Sequence, residues 1–162
     1  KRNHINYFLT EYDGRFEYRL LGKEDFDDCR ALLDEWTINK EENDNIEEGV
    51  DDERSGIEKL FTHYDQICDR LKIAGIYIDG KLEAFTMGEL LNKNMALIHI
   101  EKANPEIRGL YPYINQQFLV HEFPEVEVVN REEDMGIEGL RKAKLSYHPC
   151  KLVEKYTVRE AN

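Results

Sequence analysis

The sequence predicts an α/β (α+β) domain whose mixed, mainly antiparallel sheet is flanked by helices, and three observations carry that expectation. Two strand-like apolar runs, Lys72 to Ile78 and Leu82 to Leu91, are joined by Asp79-Gly80, a dipeptide that tolerates the positive φ angles of a tight hairpin turn. Two stretches keep a 3.6-residue apolar period, one through Phe26, Cys29, Leu32, Leu33 and Trp36 and one from Ile57 to Leu71, so both read as amphipathic helices. A strand, a helix and a strand then follow one another between Met95 and Asn130, which implies a right-handed crossover with the second strand parallel to the first.

The remaining elements are read in chain order. The chain opens at Lys1 on a helical pattern in which Ile5, Phe8, Leu9 and Tyr12 share one face; without an initial Met, residues 1–13 are expected to be a helix leading from a missing preceding unit, and residues 14–162 a single domain. After Gly14, the alternation of Phe16, Tyr18 and Leu20 predicts a strand. From Glu41 to Glu53 there are eight carboxylates and almost no apolar side chain, so a mobile acidic loop is expected over 40–55. That run lacks the residue order of an EF-hand loop, and no metal is expected there. Asn92-Lys93-Asn94 turns into a third strand, Met95 to Glu101, followed by a loop from Lys102 to Gly109. A helix from Leu110 to Glu122 carries Pro112 in its first turn and is stopped by Pro124, and Val126 to Asn130 returns as a strand. A helix from Ile137 to Tyr147 and a strand from Lys151 to Val158 complete the pattern.

Composition narrows the function. In 162 residues, 41% apolar, there is enough material for one core. No run approaches the roughly 18 apolar residues of a membrane helix, so membrane insertion is not expected and a cytoplasmic location is. Cys29, Cys68 and Cys150 are too few and too far apart for a disulfide framework or a zinc site. With 34 acidic and 22 basic side chains the net charge is −12, which opposes non-specific attraction to nucleic acid or anionic lipid.

Specific residues add a resemblance. Asn130-Arg131-Glu132-Glu133-Asp134-Met135-Gly136, continuing into Gly139-Leu140-Arg141, Lys144, Pro149 and Lys155-Tyr156, resembles the C-terminal domain of bacterial phosphatidylglycerol lysyltransferases and its soluble relatives, a domain of unknown function. His99-Ile100-Glu101-Lys102-Ala103-Asn104 and the opening Lys1-Arg2-Asn3-His4 belong to the same likeness, which covers nearly the whole chain. The Leu-Arg-x-x-Lys spacing is also similar to that of Fem-type peptidyltransferases. The resemblance implies a GNAT-like acyltransferase fold, an acyl or aminoacyl transferase activity with acyl-CoA or aminoacyl-tRNA as donor and a small-molecule acceptor, and a preceding GNAT-like unit in the same protein. A non-catalytic ligand-binding or scaffolding unit is the alternative.

In a GNAT-like sheet the third meander strand and the next, parallel strand splay apart, and the cleft at their carboxyl ends is where ligands are expected. Its lip here is Glu101, Lys102, Asn104 and the loop reaching Arg108 and Gly109, whose cation and free backbone N–H groups suit phosphate or carboxylate oxygens. Coenzyme A-binding members carry [Q/R]-x-x-G-x-[G/A] in that loop; this chain departs from it, with one glycine and bulky Tyr111, and Gly109 and Arg108 also fit a plain turn and a solvated side chain. Glu101 and His99, two apart on a strand, are expected on one face, where either would serve as base to an amine or hydroxyl; a core histidine and a paired carboxylate fit the same residues. Arg141 and Lys144, three apart on the last helix, would form a basic spot with Arg131 and Lys142, or an ordinary surface pair. Asp134 and Asn130 are placed either to orient an acceptor or to cap a turn.

Overall fold

A computed structural model describes residues 1–42, 50–156 and 158–160, with the side chains of 39–42 and 50–52 outside that description. The chain divides into two compact units, Lys1–Glu132 and Glu133–Asn162. The first contains α1 (Arg2–Glu11), β1 (Phe16–Leu20), a 3-10 turn (Lys23–Asp25), α2 (Phe26–Glu42), α3 (Val50–Thr62), α4 (Tyr64–Ile67), β2 (Lys72–Ile78), β3 (Lys81–Asn92), β4 (Met95–Ala103), α5 (Leu110–Glu122) and β5 (Val128–Asn130). The second contains α6 (Glu138–Leu145).

The five strands lie in the order β1-β2-β3-β4-β5. The first four pair antiparallel, and β5 runs parallel to β4. The β2–β3 turn has Asp79 at φ 49° and Gly80 at φ 84°, the left-handed pair that the Asp-Gly signal implies. Alternating strand residues feed two layers. Ile73, Tyr77, Phe85 and Met87 pack with Phe26, Leu32, Leu33, Ile57 and Phe61 of α2 and α3. On the opposite face, Ile76, Ala84 and Ala103 pack with Phe8 of α1 and Leu110 and Ile114 of α5, while Ala96 and Ile98 meet Phe118. Each fully buried side chain of this size contributes about 1.5–3 kcal/mol over its exposed state.

Several sequence expectations need correction. The second amphipathic stretch is two helices broken at His63, where the backbone (φ −101°, ψ 10°) leaves the helical region. Helix α3 already includes Val50 to Glu53, so the acidic run is not loop at its C-terminal end; residues 43–49 lie outside the described residues. Strand β4 continues to Ala103, so Lys102 is on a strand and not in the following loop. The strand expected from Lys151 to Val158 is absent among the described residues there: Leu152, Val153, Tyr156 and Val158 are exposed, and a β-prone sequence forms a strand only against a partner.

The register of β3 against β4 shifts at two places, near the Leu90–Asn92 end and in the middle; in the middle Met87 faces Ile100 and Gly88 faces Ile98, leaving His99 as the extra residue of a β-bulge. Gly88 is required opposite it, since a Cβ there would stand 2.7 Å from the Leu97 carbonyl oxygen and 3.0 Å from both Ile98 Cδ1 and Phe118 Cε1. The Gly88→Ala substitution is expected to cost about 1–3 kcal/mol through overpacking, read as a lower urea midpoint at unchanged m-value. Gly56→Ala, inside α3 with nothing within 4 Å of its Cβ, is expected to stabilise by about 1 kcal/mol in the same assay. Equal effects at the two positions would contradict this packing.

Candidate active site

Strands β4 and β5 share three register pairs, Met95 with Val128 through Leu97 with Asn130. β5 ends at the last of these pairs, whereas β4 runs on to Ala103 and carries polar side chains there, Glu101 and Lys102 among them.

Glu101 lies opposite Thr86 on the face covered by α5. Its side chain is 11% exposed. Asn115 Nδ2 donates to one carboxylate oxygen at 2.8 Å, and Arg131 Nη2 donates to the other at 2.8 Å. Two donors, one on each oxygen, fix the direction of the carboxyl group. Arg131 is the residue just after β5, so the same ion pair ties the exit of β5 to β4.

The bulge alters which residues share a face. Ile98 joins the cluster under α5, whereas Ile100, two residues on, packs with the cluster under α2. The expectation that Glu101 and His99 share a face assumes an unbroken alternation, and the bulge breaks it. The two side chains join different networks: His99 Nε2 lies 3.0 Å from Glu89 Oε1, and its Nδ1 lies 2.9 Å from Glu132 Oε1.

Lys102 points to the α2 and α3 face. Its side chain is 7% exposed, with Nζ 2.7 Å from Glu53 Oε2 and 3.5 Å from the centre of the Trp36 ring. An ammonium so desolvated over an indole gains about 2 kcal/mol from the ring. A shallow cleft with room for little more than one water adjoins it, lined by Leu33, Trp36, Thr37, Glu53, Arg54 and Lys102. The Trp36 indole N–H donates to the Tyr111 hydroxyl at 3.1 Å, tying α2 to α5 at the end of β4. Burial pushes the Tyr111 phenol up, and the Trp36 and Ala103 N–H groups aimed at its oxygen work the other way.

The loop into α5 is packed against α1. Gly109 has φ 91°, and a Cβ there would stand 2.1 Å from the His4 carbonyl oxygen. The Arg108 guanidinium lies 4.8 Å from the centre of the Tyr7 ring. Asn104 Oδ1 accepts the Glu106 N–H at 3.0 Å and its Nδ2 donates to Glu83 at 2.9 Å, while Asn130 Oδ1 accepts the Glu132 N–H at 2.8 Å. Both asparagines shape turns.

Asp134, Arg141 and Lys144 belong to the second unit. Arg141 donates to Asp134 at 2.6 and 3.2 Å, Gly136 N–H donates to Asp134 at 3.0 Å, and Lys144 Nζ donates to the Glu133 carbonyl at 2.5 Å. Asn115 and the Trp36–Tyr111 pair are not among the residues that the sequence singles out for the site. A signal existed: Asn115 stands four residues after Tyr111, between Ile114 and Phe118, where a polar side chain on a buried helix face calls for a partner.

A mixed five-stranded sheet whose last pair is parallel, with helices on both faces, defines a GNAT-type acyltransferase fold. A ribosomal-protein-alanine N-acetyltransferase from Brucella melitensis aligns with 90% of this chain and 99% of its own (TM-score 0.59, 12% identity), and a possible acetyltransferase from Clostridium difficile with 91% and 99% (TM-score 0.57, 14% identity). The chain belongs to the phosphatidylglycerol lysyltransferase C-terminal family, whose sequence profile matches residues 1–159. A conserved protein of unknown function from Bacteroides thetaiotaomicron, solved as a crystal structure, is 38% identical over 93% of this chain with TM-score 0.81. An uncharacterized protein of Mycoplasmoides gallisepticum is 25% identical over 98% of this chain. The chain spans about half the length of both, 49% in each case.

The Arg141 hydrogen bonds, and then the Gly136 N–H, hold the Asp134 carboxyl down at about 2. A depressed native value means that the pair's contribution to stability is present above the ordinary carboxylate range of about 3.9 and is lost as pH falls toward about 2. Replacing Arg141 with Gln is expected to move the Asp134 carboxyl titration, followed by ¹³C NMR, upward toward the ordinary range. An unmoved titration would remove Arg141 as the cause.

Proposed function

We propose that this domain transfers an acyl or aminoacyl group to a small amine or hydroxyl nucleophile at the end of β4, with Glu101 as the base. The observation that carries the reading is the nearly buried Glu101 carboxylate, held by Asn115 and Arg131 past the last β4–β5 register pair. In the reaction the nucleophile attacks the donor's acyl carbonyl, its proton passes to Glu101, and the leaving group departs carrying the donor's remainder. No covalent intermediate on the protein is required. Asn115 and Arg131 fix the carboxylate's direction, which matters because proton transfer depends on geometry before acidity.

Two donor classes fit, acyl-CoA and aminoacyl-tRNA, and the loop before α5 distinguishes them. Where coenzyme A would need backbone N–H groups for its pyrophosphate, Gly109 abuts the α1 backbone and Pro112 offers no N–H. An aminoacyl ester makes no such demand, so we favour it. Arg108 is proposed to meet a donor's phosphates and Asn130 to orient the acceptor; Arg141 and Lys144, with Asp134, are the second unit's own candidates for those two roles, and Lys102 is a candidate on the α2 and α3 face. The remaining half of the longer relatives is proposed as a second GNAT-like unit, and the reaction is placed in the cytoplasm.

The same packing at Gly109 favours a second reading, a binding or scaffolding unit that retains the fold without chemistry. A full-length protein assayed with coenzyme A, acyl-CoA and aminoacyl-tRNA separates them, by thermal shift at low salt and by donor consumption. Transfer is expected with aminoacyl-tRNA, and Glu101→Gln is expected to lower kcat about 10²-fold with little change in the thermal shift. Unchanged turnover would remove Glu101 as base. Binding without consumption of any donor would establish the second reading.

A further inference from the structure

The structure assigns to His99 a role that goes beyond the candidate bases: we infer that it is a positioning residue, whose ring straps the exit of β5 to the β3–β4 ribbon and thereby holds Arg131 against Glu101. The inference rests on the proposed role of Glu101 only for its catalytic consequence.

The geometry is specific. His99 is the extra residue of the bulge, Glu89 stands on the neighbouring β3 opposite Leu97, and Glu132 follows β5 by two residues. The ring nitrogens lie 3.0 Å from Glu89 and 2.9 Å from Glu132. Between Glu132 and the last paired residue, Asn130, sits Arg131, whose guanidinium reaches Glu101 at 2.8 Å. Both ends of the segment that presents Arg131 are therefore fixed, Asn130 by the ladder and Glu132 by the imidazole.

Carboxylates only accept, and a neutral imidazole has one N–H and one lone pair. Both contacts are hydrogen bonds at once when the ring carries its second proton. The groups facing it are Glu89 from β3 and Glu132 from the segment after β5, with Glu101 two residues along its own strand and the Arg131 cation next to Glu132. When the proton leaves, a lone pair is turned toward one carboxylate. Glu89 is locked in the β3 ladder, while Glu132 lies past the last rung with its backbone at φ 55°, so Glu132 is the contact that opens. Arg131 then loses one of its two anchors. With the strap closed, neither ring nitrogen has a lone pair free to act as a base.

The test uses the full-length protein labelled with ¹³C at glutamate and ¹⁵N at histidine, titrated from about pH 5 to pH 8, the range in which imidazoles ordinarily change charge. The Glu101 carboxyl signal, identified by its absence in Glu101→Gln, is expected to step together with the His99 ring signals. Glu132→Gln, a change at a half-exposed side chain, is expected to abolish the step, because a carboxamide can accept from the protonated ring or donate to the neutral one. His99→Gln should abolish it too. A Glu101 signal that ignores the His99 titration, or a step that persists in Glu132→Gln, would overturn the strap. If the step is present but no donor is consumed, the strap stands and the transferase reading falls; if transfer depends on Glu101 without any step, the reverse holds.

Discussion

The β-bulge at His99 is the constraint on which the site depends, because a strand has no other means of changing the face a residue occupies. With unbroken alternation Ile98, Ile100 and Lys102 would line one face of the sheet and Glu101 the other, opposite to where α5 waits. The extra residue exchanges them. Ile100 turns into the core under α2, Glu101 turns toward Asn115, and Lys102 turns toward Trp36. Gly88 makes the exchange possible by offering no Cβ to the crowded backbone across from it.

The charges collected at the end of β4 follow from that turn. Removing an ion from water is costly unless a partner and hydrogen bonds replace the solvent, and Glu101 and Lys102 are each supplied with both. Their partners come from elements far apart in sequence: α3 for Lys102, and α5 and the exit of β5 for Glu101. Each ion pair therefore fastens a helix or strand end to β4, so that the polar groups of the site also serve to locate its walls. Replacing one partner leaves the other charge buried alone, which is a larger penalty than the pair's own net contribution.

Much of the fold was legible in the sequence because local chemistry specified it. Asp79-Gly80 fixed a turn, the span from Leu110 to Pro124 bounded a helix, and a short strand-helix-strand succession left one handedness for the crossover. The bulge was not legible, since an inserted residue leaves no mark in an apolar pattern that stays strand-like on both sides of it. The exposed tail after Cys150 misled for the opposite reason: Leu152, Val153, Tyr156 and Val158 have strand-like character but no strand partner among the described residues. In the site, Glu101 could be picked out as a carboxylate at a strand end. Its partners could not, because the contact of Asn115 and Arg131 with one residue is a product of tertiary packing among α5, β4 and the exit of β5.

The parallel seam between β4 and β5 has three rungs, all at one end, while the β3–β4 ladder spans nearly the whole of both strands. Local opening in a sheet follows the line with fewest backbone bonds, so this seam is where slow amide protons should first become exchangeable, ahead of the meander. The side chains that staple it beyond its last rung are those of the site itself. Opening of the sheet at this seam and loosening of the Glu101 carboxylate are thus one motion, and anything that spans both strand ends would resist it.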